Sequence, residues 1–299
     1  MKILCIGHVA YDITLPVDSF PSENTKNRVT SRMECGGGPA SNAAYLLGKW
    51  NMNTTFIGVV GNDDYGHFIK EEFDVIGVNT KYLQIKDNVK TTSSFIIANT
   101  SKGTRTILTY RPSDMKCDDI ELDFEPNIIL IDGQEEALSR KIINKYKNAI
   151  SVIDAGRATK EIIELAKMVD YVVCSFEFAK SVTNMEVNLE DSNQVVRMYN
   201  KLTKTFKGKV IVTLESKGSL YKYNDEIKIM PSIKVKALDS TGAGDIYHGA
   251  FVYGLAMNME LENIIKISNI AGALSVTKLG GRYSMPTKDE VKDKLNEYK

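Results

Sequence analysis

The sequence predicts an α/β fold: a doubly wound, mostly parallel sheet flanked by helices, with a small β-sheet element set apart from it. Two observations predict the main layer. Short Ile- and Val-rich runs alternate with longer amphipathic runs, the pattern of right-handed βαβ units. The short runs are apolar almost throughout, as strands covered on both faces are. A third observation predicts the appendage, because residues 12–33 and 90–112 break the alternation.

Taken in order, residues 2–9 read as the first strand. The stretch that follows carries Pro16, Pro21 and many polar residues, and fits no helix-covered layer. Residues 41–50 read as a helix, 54–60 as a strand and 65–76 as a helix. Ser93–Asn99 and Thr104–Tyr110 are two β-rich runs joined by Ser101-Lys102-Gly103, which predicts a hairpin. Strands are then expected at 128–132, 151–154, 171–174 and 209–214, with helices at 135–147, 160–169 and 193–206. In such folds ligands bind beyond the carboxyl ends of the strands, so site residues are expected in the loops there. The two excursions, 12–33 and 90–112, are expected to form a flap over that edge, within a single domain spanning 1–299.

Composition narrows the function classes. Lys+Arg and Asp+Glu are 38 each, so the formal net charge is zero. Nothing in that balance calls for nucleic acid or an anionic membrane as partner. Cys5, Cys35, Cys117 and Cys174 are far apart with no CxxC pair, which reads as reduced thiols. No apolar stretch approaches the ~20 residues of a membrane span, and a cytoplasmic protein is expected. His8, His67 and His248 lack metal-ligand spacing, which argues against a catalytic zinc. His248, three residues after Asp245, reads as a packing or substrate-side residue. There is no GxxxxGK[ST] and no intact GxGxxG.

Two glycine-rich segments carry the chemistry. In Asp239-Ser240-Thr241-Gly242-Ala243-Gly244-Asp245, a glycine loop feeds a helix start whose face continues through Ile246, Phe251, Val252 and Leu255. Free N–H groups and the positive end of the helix dipole converge there, which suits a phosphate. A carboxylate at that point repels the anion and attracts an alcohol proton, so Asp245 reads as a base, or else as a plain helix cap. In Gly36-Gly37-Gly38-Pro39-Ala40-Ser41-Asn42, glycines again precede a helix, with Pro39 in its first turn. Asn42 offers both a donor and an acceptor to hydroxyl groups, and an ordinary capped helix is the alternative.

Together these segments resemble the two signatures of the ribokinase family, also called the phosphofructokinase-B family. Further matches follow in order: Gly7 to Asp12, Gly58 to Gly66, Val212 to Gly218 and Ala273 to Gly281. The resemblance implies a ribokinase-like fold, with the flap as a β-sheet lid, and ATP-dependent phosphorylation of a small sugar. It implies Asp245 as catalytic base and the amides of Gly242, Ala243 and Gly244 as an anion hole. Asp12, Asn24, Gly37, Gly38 and Asn42 fall at family positions on the sugar side. Thr213, Ser216, Gly218, Ala271 and Leu274, with Thr241, Gly242 and Gly244, would frame the nucleotide. Glu177 matches the acidic residue that organises Mg²⁺ through water, and Asp239 and Thr241 fall where many relatives bind K⁺. Three departures stand out: Cys174 replaces the family's Asn, Glu215 stands where Gly is usual, and the first signature has three glycines instead of two.

The substrate is less sharply marked. Gly103 to Tyr110 is similar to the flap of ketohexokinases, which favours a ketohexose or pentose over a nucleoside. Arg105 and Arg111 are candidate anion readers, and Tyr110-Arg111 is similar to keto-deoxy-gluconate kinases, so a sugar acid or sugar phosphate is an alternative. A sugar-sensing protein without catalysis and a nicotinamide-dependent dehydrogenase are the competing classes. The second lacks the glycine fingerprint at the first strand. The apolar residues of the flap predict a homodimer through the lid.

Overall fold

The structure, a computed structural model, describes residues 1–297. The chain runs through β1 (Lys2–Ile6), β2 (Ala10–Val17), β3 (Met33–Gly37), α1 (Pro39–Lys49), β4 (Asn53–Gly61), α2 (Asp64–Val75) and β5 (Leu83–Lys86). Then come β6 (Ser93–Asn99), β7 (Thr104–Tyr110), β8 (Ile128–Ile131), α3 (Glu136–Lys145), β9 (Ile150–Ala155) and α4 (Lys160–Ala166). The last third holds β10 (Tyr171–Ser175), α5 (Phe176–Thr183), α6 (Ser192–Thr205), β11 (Lys209–Thr213), β12 (Ser219–Tyr223) and β13 (Glu226–Met230). Helices α7 (Ala243–Ala256), α8 (Leu261–Ser275) and α9 (Lys288–Glu297) complete it.

Nine strands form the main sheet in the order β13-β12-β11-β10-β9-β8-β1-β4-β5. It is parallel from β11 to β5, with β12 and β13 antiparallel at one edge. From β1 the chain winds first toward β4 and β5, then returns to β8 and winds the other way. The switch between β1 and β8 opens a crevice at the carboxyl ends of the strands. Alternate residues of β1 serve the two faces. Leu4 and Ile6 enter one core cluster with Leu138, Ile162 and Phe178, while Ile3 and Cys5 enter another with Phe73, Phe251 and Ile264. Such burial contributes about 1.5–3 kcal/mol per large apolar side chain. A third cluster joins Trp50 of α1's end to Ile246, Ile270 and Met285.

The helix starts follow from local chemistry. Pro39 opens α1, where its missing N–H costs nothing. Asp63 caps α2 by accepting from Gly66 N at 2.9 Å, and its other oxygen takes Thr91 N at 2.9 Å. Asp191 caps α6 in the same way.

A second sheet, in the order β3-β2-β6-β7, stands apart from the first. Here the structure corrects one reading. The first strand does not run to residue 9, because the His8 amide donates to the Asp132 carboxylate at 2.8 Å and leaves the ladder. The proline-containing stretch opens as a strand, as a β-rich flap requires, and β2 passes through Pro16. That is tolerated because β3 pairs only with residues 10–14, so the side facing away from β6 is open at Pro16. Glu215, at the position where glycine was noted as usual, has φ +52° and keeps the left-handed turn without one.

Candidate active site

The site is assembled where α1 and α7 cross. A Cβ on Gly249 would lie 3.0 Å from Leu46 Cδ2 and 3.1 Å from the Ala43 carbonyl, so glycine lets the helices approach closely. That approach brings Asn42, in the first turn of α1, to Asp245, in the first turn of α7: Asn42 Nδ2 donates to Asp245 Oδ2 at 2.7 Å. Asn42 is 2 % exposed, and its Oδ1 is buried with no protein donor. A buried acceptor of this kind costs stability unless a bound hydroxyl or water satisfies it.

Gly242, at φ 75°, precedes α7 and has no side-chain cap above it. Gly244 is exposed at the tip, and a Cβ there would meet no atom within 4 Å. The first amides of α7 thus border open space. Asp239 holds the loop from behind, its Oδ1 accepting from Thr241 N at 2.9 Å and Thr241 Oγ1 at 2.6 Å, and its Oδ2 from Gly280 N at 2.9 Å.

On the opposite wall, β2 presents Asp12, buried between Ser94 of β6 and the end of β3. Burial raises its carboxyl to about 6, with the Ser94 hydroxyl pulling it down, the Asp245 charge pushing it up and the Arg282 charge pulling it down. Asp245 is also raised to about 6, first by burial, then by the charge of Asp154 at the end of β9; Asn42, His248 and Arg105 act the other way. His248 Nδ1 lies 2.6 Å from the Gly244 carbonyl and 3.2 Å from Asp154 Oδ2, and Nε2 lies 3.1 Å from the Val173 carbonyl. Carbonyl oxygens only accept, so each ring nitrogen faces an acceptor and His248 packs as a bracket beneath α7.

The remaining expected site residues are placed as follows. Gly37 lies against Asp12, and Gly38, at φ 97°, leads into α1. Arg105 reaches from β7 to the loop before α7, where Nη1 donates to Ser240 Oγ at 2.8 Å. Arg111 is instead engaged by Gln134 at 2.5 Å and Glu135 at 3.4 Å. Tyr110 is exposed at the end of β7, and Asn24 is exposed in the segment joining β2 to β3. Neither is hydrogen-bonded to the Asp12–Asp245 group.

Thr213 ends β11, its Oγ1 donating to the Cys174 carbonyl at 3.3 Å; Ser216 is exposed in the turn beyond, and Gly218 closes it. Leu274 is half-buried, but Ala271 is fully buried in the cluster with Trp50. Its methyl group packs in the core. Glu177 lies in the first turn of α5 with its side chain 75 % exposed, paired to Lys180 at 2.8 Å. Cys174 is buried at the end of β10, and burial pushes its thiol up, so it offers no thiolate to a metal or phosphate.

Sequence reasoning missed three residues. Asp154 ends an expected strand, and that position was its signal. Arg282, which is buried, pairs with the half-buried Glu72 at 2.8 Å, and no local pattern marks an arginine for burial. Among the described residues, no cluster of three or more His, Cys, Asp or Glu is placed to hold a metal, and no helix is long and apolar enough to cross a membrane.

Comparison with known proteins adds the following. The model of the pfkB family carbohydrate kinases matches residues 1–288. A ribokinase from Staphylococcus aureus is 28 % identical, covering 97 % of this chain and 98 % of its own. A nucleoside kinase from Methanocaldococcus jannaschii is 25 % identical, covering 100 % of this chain and 98 % of its own. The structure of Arabidopsis thaliana ribokinase complexed with ribose and ATP superposes with a TM-score of 0.82 at 22 % identity, covering 98 % of each chain.

Proposed function

Because the chain belongs to the pfkB carbohydrate kinase family, and so is an ATP-dependent phosphotransferase with an alcohol acceptor, we propose that it phosphorylates a hydroxyl of a small sugar, a ketohexose or a pentose, with Asp245 as general base. The observation that carries this reading is the Asn42–Asp245 pair. The carboxylate is anchored through one oxygen, while the unpartnered Asn42 Oδ1 beside it suits a sugar hydroxyl. Asp12 on the facing wall supplies a second acceptor. The similarity to ribokinases supports a pentose in particular.

In this mechanism Asp245 accepts the proton of the attacking hydroxyl, whose oxygen then bonds to the γ-phosphorus as ADP departs. The amides of Gly242, Ala243 and Gly244 offset charge on the transferring group. The four-stranded sheet acts as the lid. Its hairpin already touches the loop before α7, where a Cβ on Gly103 would lie 2.7 Å from Ala237 Cβ. Closure excludes water from the phosphoryl group.

Magnesium keeps several waters and is held by one or two carboxylates with substrate phosphates, and the exposed Glu177 fits that outer position. It would supply charge neutralisation on the phosphates. Asp239 is 2 % exposed and held by neutral N–H and O–H donors, so the residues there also fit a K⁺ ion beside Thr241.

A second reading rests on Arg105, whose guanidinium stands next to Ser240 and acts on Asp245. It would recognise the carboxylate or phosphate of a sugar acid or sugar phosphate bidentately. A coupled ADP-release screen over ketohexoses, pentoses, sugar acids, sugar phosphates and nucleosides decides between them. Exclusive turnover of nucleosides would remove both.

The pH dependence follows from the raised carboxyls. A base must be unprotonated, and both Asp245 and Asp12 titrate at about 6. kcat/KM is therefore expected to be full above that value and to fall as pH drops through it, with an apparent limb belonging to the pair. A flat profile between pH 5 and 8 would contradict the assignment.

We also propose a homodimer through the second sheet, where Phe95, Ile107, Leu108 and Tyr110 expose apolar surface. Light scattering should return twice the chain mass, and a monomer at all working concentrations would refute it.

A further inference from the structure

Arg282 is the least expected charged group in the molecule. Its side chain is 1 % exposed, and it follows the Gly280-Gly281 pair that borders the anion-hole loop. Its guanidinium carbon lies 4.6 Å from the ring centroids of both Tyr45 and Phe73. Nη1 donates to Glu72 Oε2 at 2.8 Å, and Nη2 donates to Ser41 Oγ at 2.6 Å. The same Glu72 oxygen accepts the Gly36 amide at 2.6 Å. Nε is buried with no protein acceptor.

These contacts run in two directions from one short loop. Backward, Gly280 N is held by Asp239, the carboxylate that also fixes Thr241, and a Cβ on Gly242 would lie 3.8 Å from Gly281 Cα. Forward, the Arg282 side chain reaches the first turn of α1 at Ser41, next to Asn42. Through Glu72 it also reaches the glycine loop at Gly36, next to Gly37 and Asp12. The anion-hole loop and the sugar-side loop are far apart in sequence, and the 280–282 segment is tied to both, by the Gly280 amide on one side and the Arg282 side chain on the other.

An arginine buried only for stability would be a poor choice. A buried ion pair with an unsatisfied donor is often no better than apolar residues of similar volume. A fork donating in fixed directions to two elements does what an apolar residue cannot, which is to set their relative orientation.

We propose that Arg282 is a positioning residue that ties the sugar-side loop to the anion-hole loop, so that Asp12 and Asn42 stay in register with Asp245. It touches neither substrate nor the reacting atoms. The proposal rests on the reading of Asp12 and Asn42 as sugar-side groups.

The test compares Arg282→Met/Glu72→Leu, Arg282→Lys and Asp12→Asn with the parent protein. Each is assayed for steady-state kinetics in both substrates, with D-ribose or D-fructose according to which is turned over in the ADP-release screen, and for urea unfolding. The double variant is expected to unfold at a urea midpoint close to the parent's. Its sugar KM should rise at least about tenfold, with the ATP KM within about threefold, because only the sugar-side geometry is released. Arg282→Lys keeps the charge but loses the fork, and should show a smaller rise in sugar KM. A parent-like sugar KM in the folded double variant overturns the proposal, and so does a parent-like sugar KM in Arg282→Lys should the double variant not fold. If Asp12→Asn leaves sugar KM unchanged, the sugar-side reading fails instead. A raised KM in Asp12→Asn with parent-like Arg282 variants isolates the failure to Arg282.

Discussion

Asp245→Asn is expected to lower kcat by about 10²–10⁴-fold while leaving the affinity for sugar within a few-fold of the parent. The asparagine keeps an oxygen to accept from Asn42 Nδ2, now at 2.7 Å from Asp245 Oδ2, so the α1–α7 junction is preserved. What is lost is the group that takes the proton. Stopped-flow or coupled kinetics with calorimetric sugar binding separates the two effects. Turnover near the parent value would remove Asp245 as the base. The loss relative to the parent should also shrink as pH drops through about 6, since the parent's base protonates there and the variant has no Asp245 carboxyl to protonate.

Gly37→Ala is expected to produce the second largest effect, and it acts on binding. A Cβ at that position would lie 1.9 Å from Asp12 Oδ2, far inside contact distance. Asp12 is buried in the middle of a paired strand, so its carboxylate must swing out of its place or β2 and β3 must part. Sugar KM should rise by roughly ten- to a hundredfold, which corresponds to about 1.4–2.7 kcal/mol. Equal sugar KM values for Gly37→Ala and the parent would show that Asp12 does not read the substrate.

The main layer was legible because its signal is periodic. Expected strands at 54–60, 151–154 and 209–214 lie within or beside β4, β9 and β11, and the hairpin runs Ser93–Asn99 and Thr104–Tyr110 coincide with β6 and β7. Where the reading failed, a long-range contact decided the local structure. Asp132 takes the His8 amide and ends β1 early, and no pattern within residues 2–9 encodes a carboxylate 124 positions away. The loop bearing Asp245 was readable as glycine chemistry at a helix start. Asp154, Glu72 and Arg282 were not assigned to the site, because their place in it depends on which strand ends and helix faces the topology brings together. For Ala271 the helix was legible, but the direction of its methyl group, into the cluster with Trp50, was not.

The chain contains a single tryptophan, and its placement gives the protein a built-in optical reporter. Trp50 ends the helix whose first turn carries Asn42, stacks edge-on against Tyr253 of α7 at 5.0 Å, and donates its indole N–H to the Pro286 carbonyl at 3.0 Å. Its emission therefore comes from a dry, asymmetric setting shared by α1, α7 and the segment leading into α9. Undocking of that segment shifts the emission to the red while the β-sheet's far-ultraviolet dichroism persists, so loosening of the catalytic helices can be followed in solution separately from melting of the sheet.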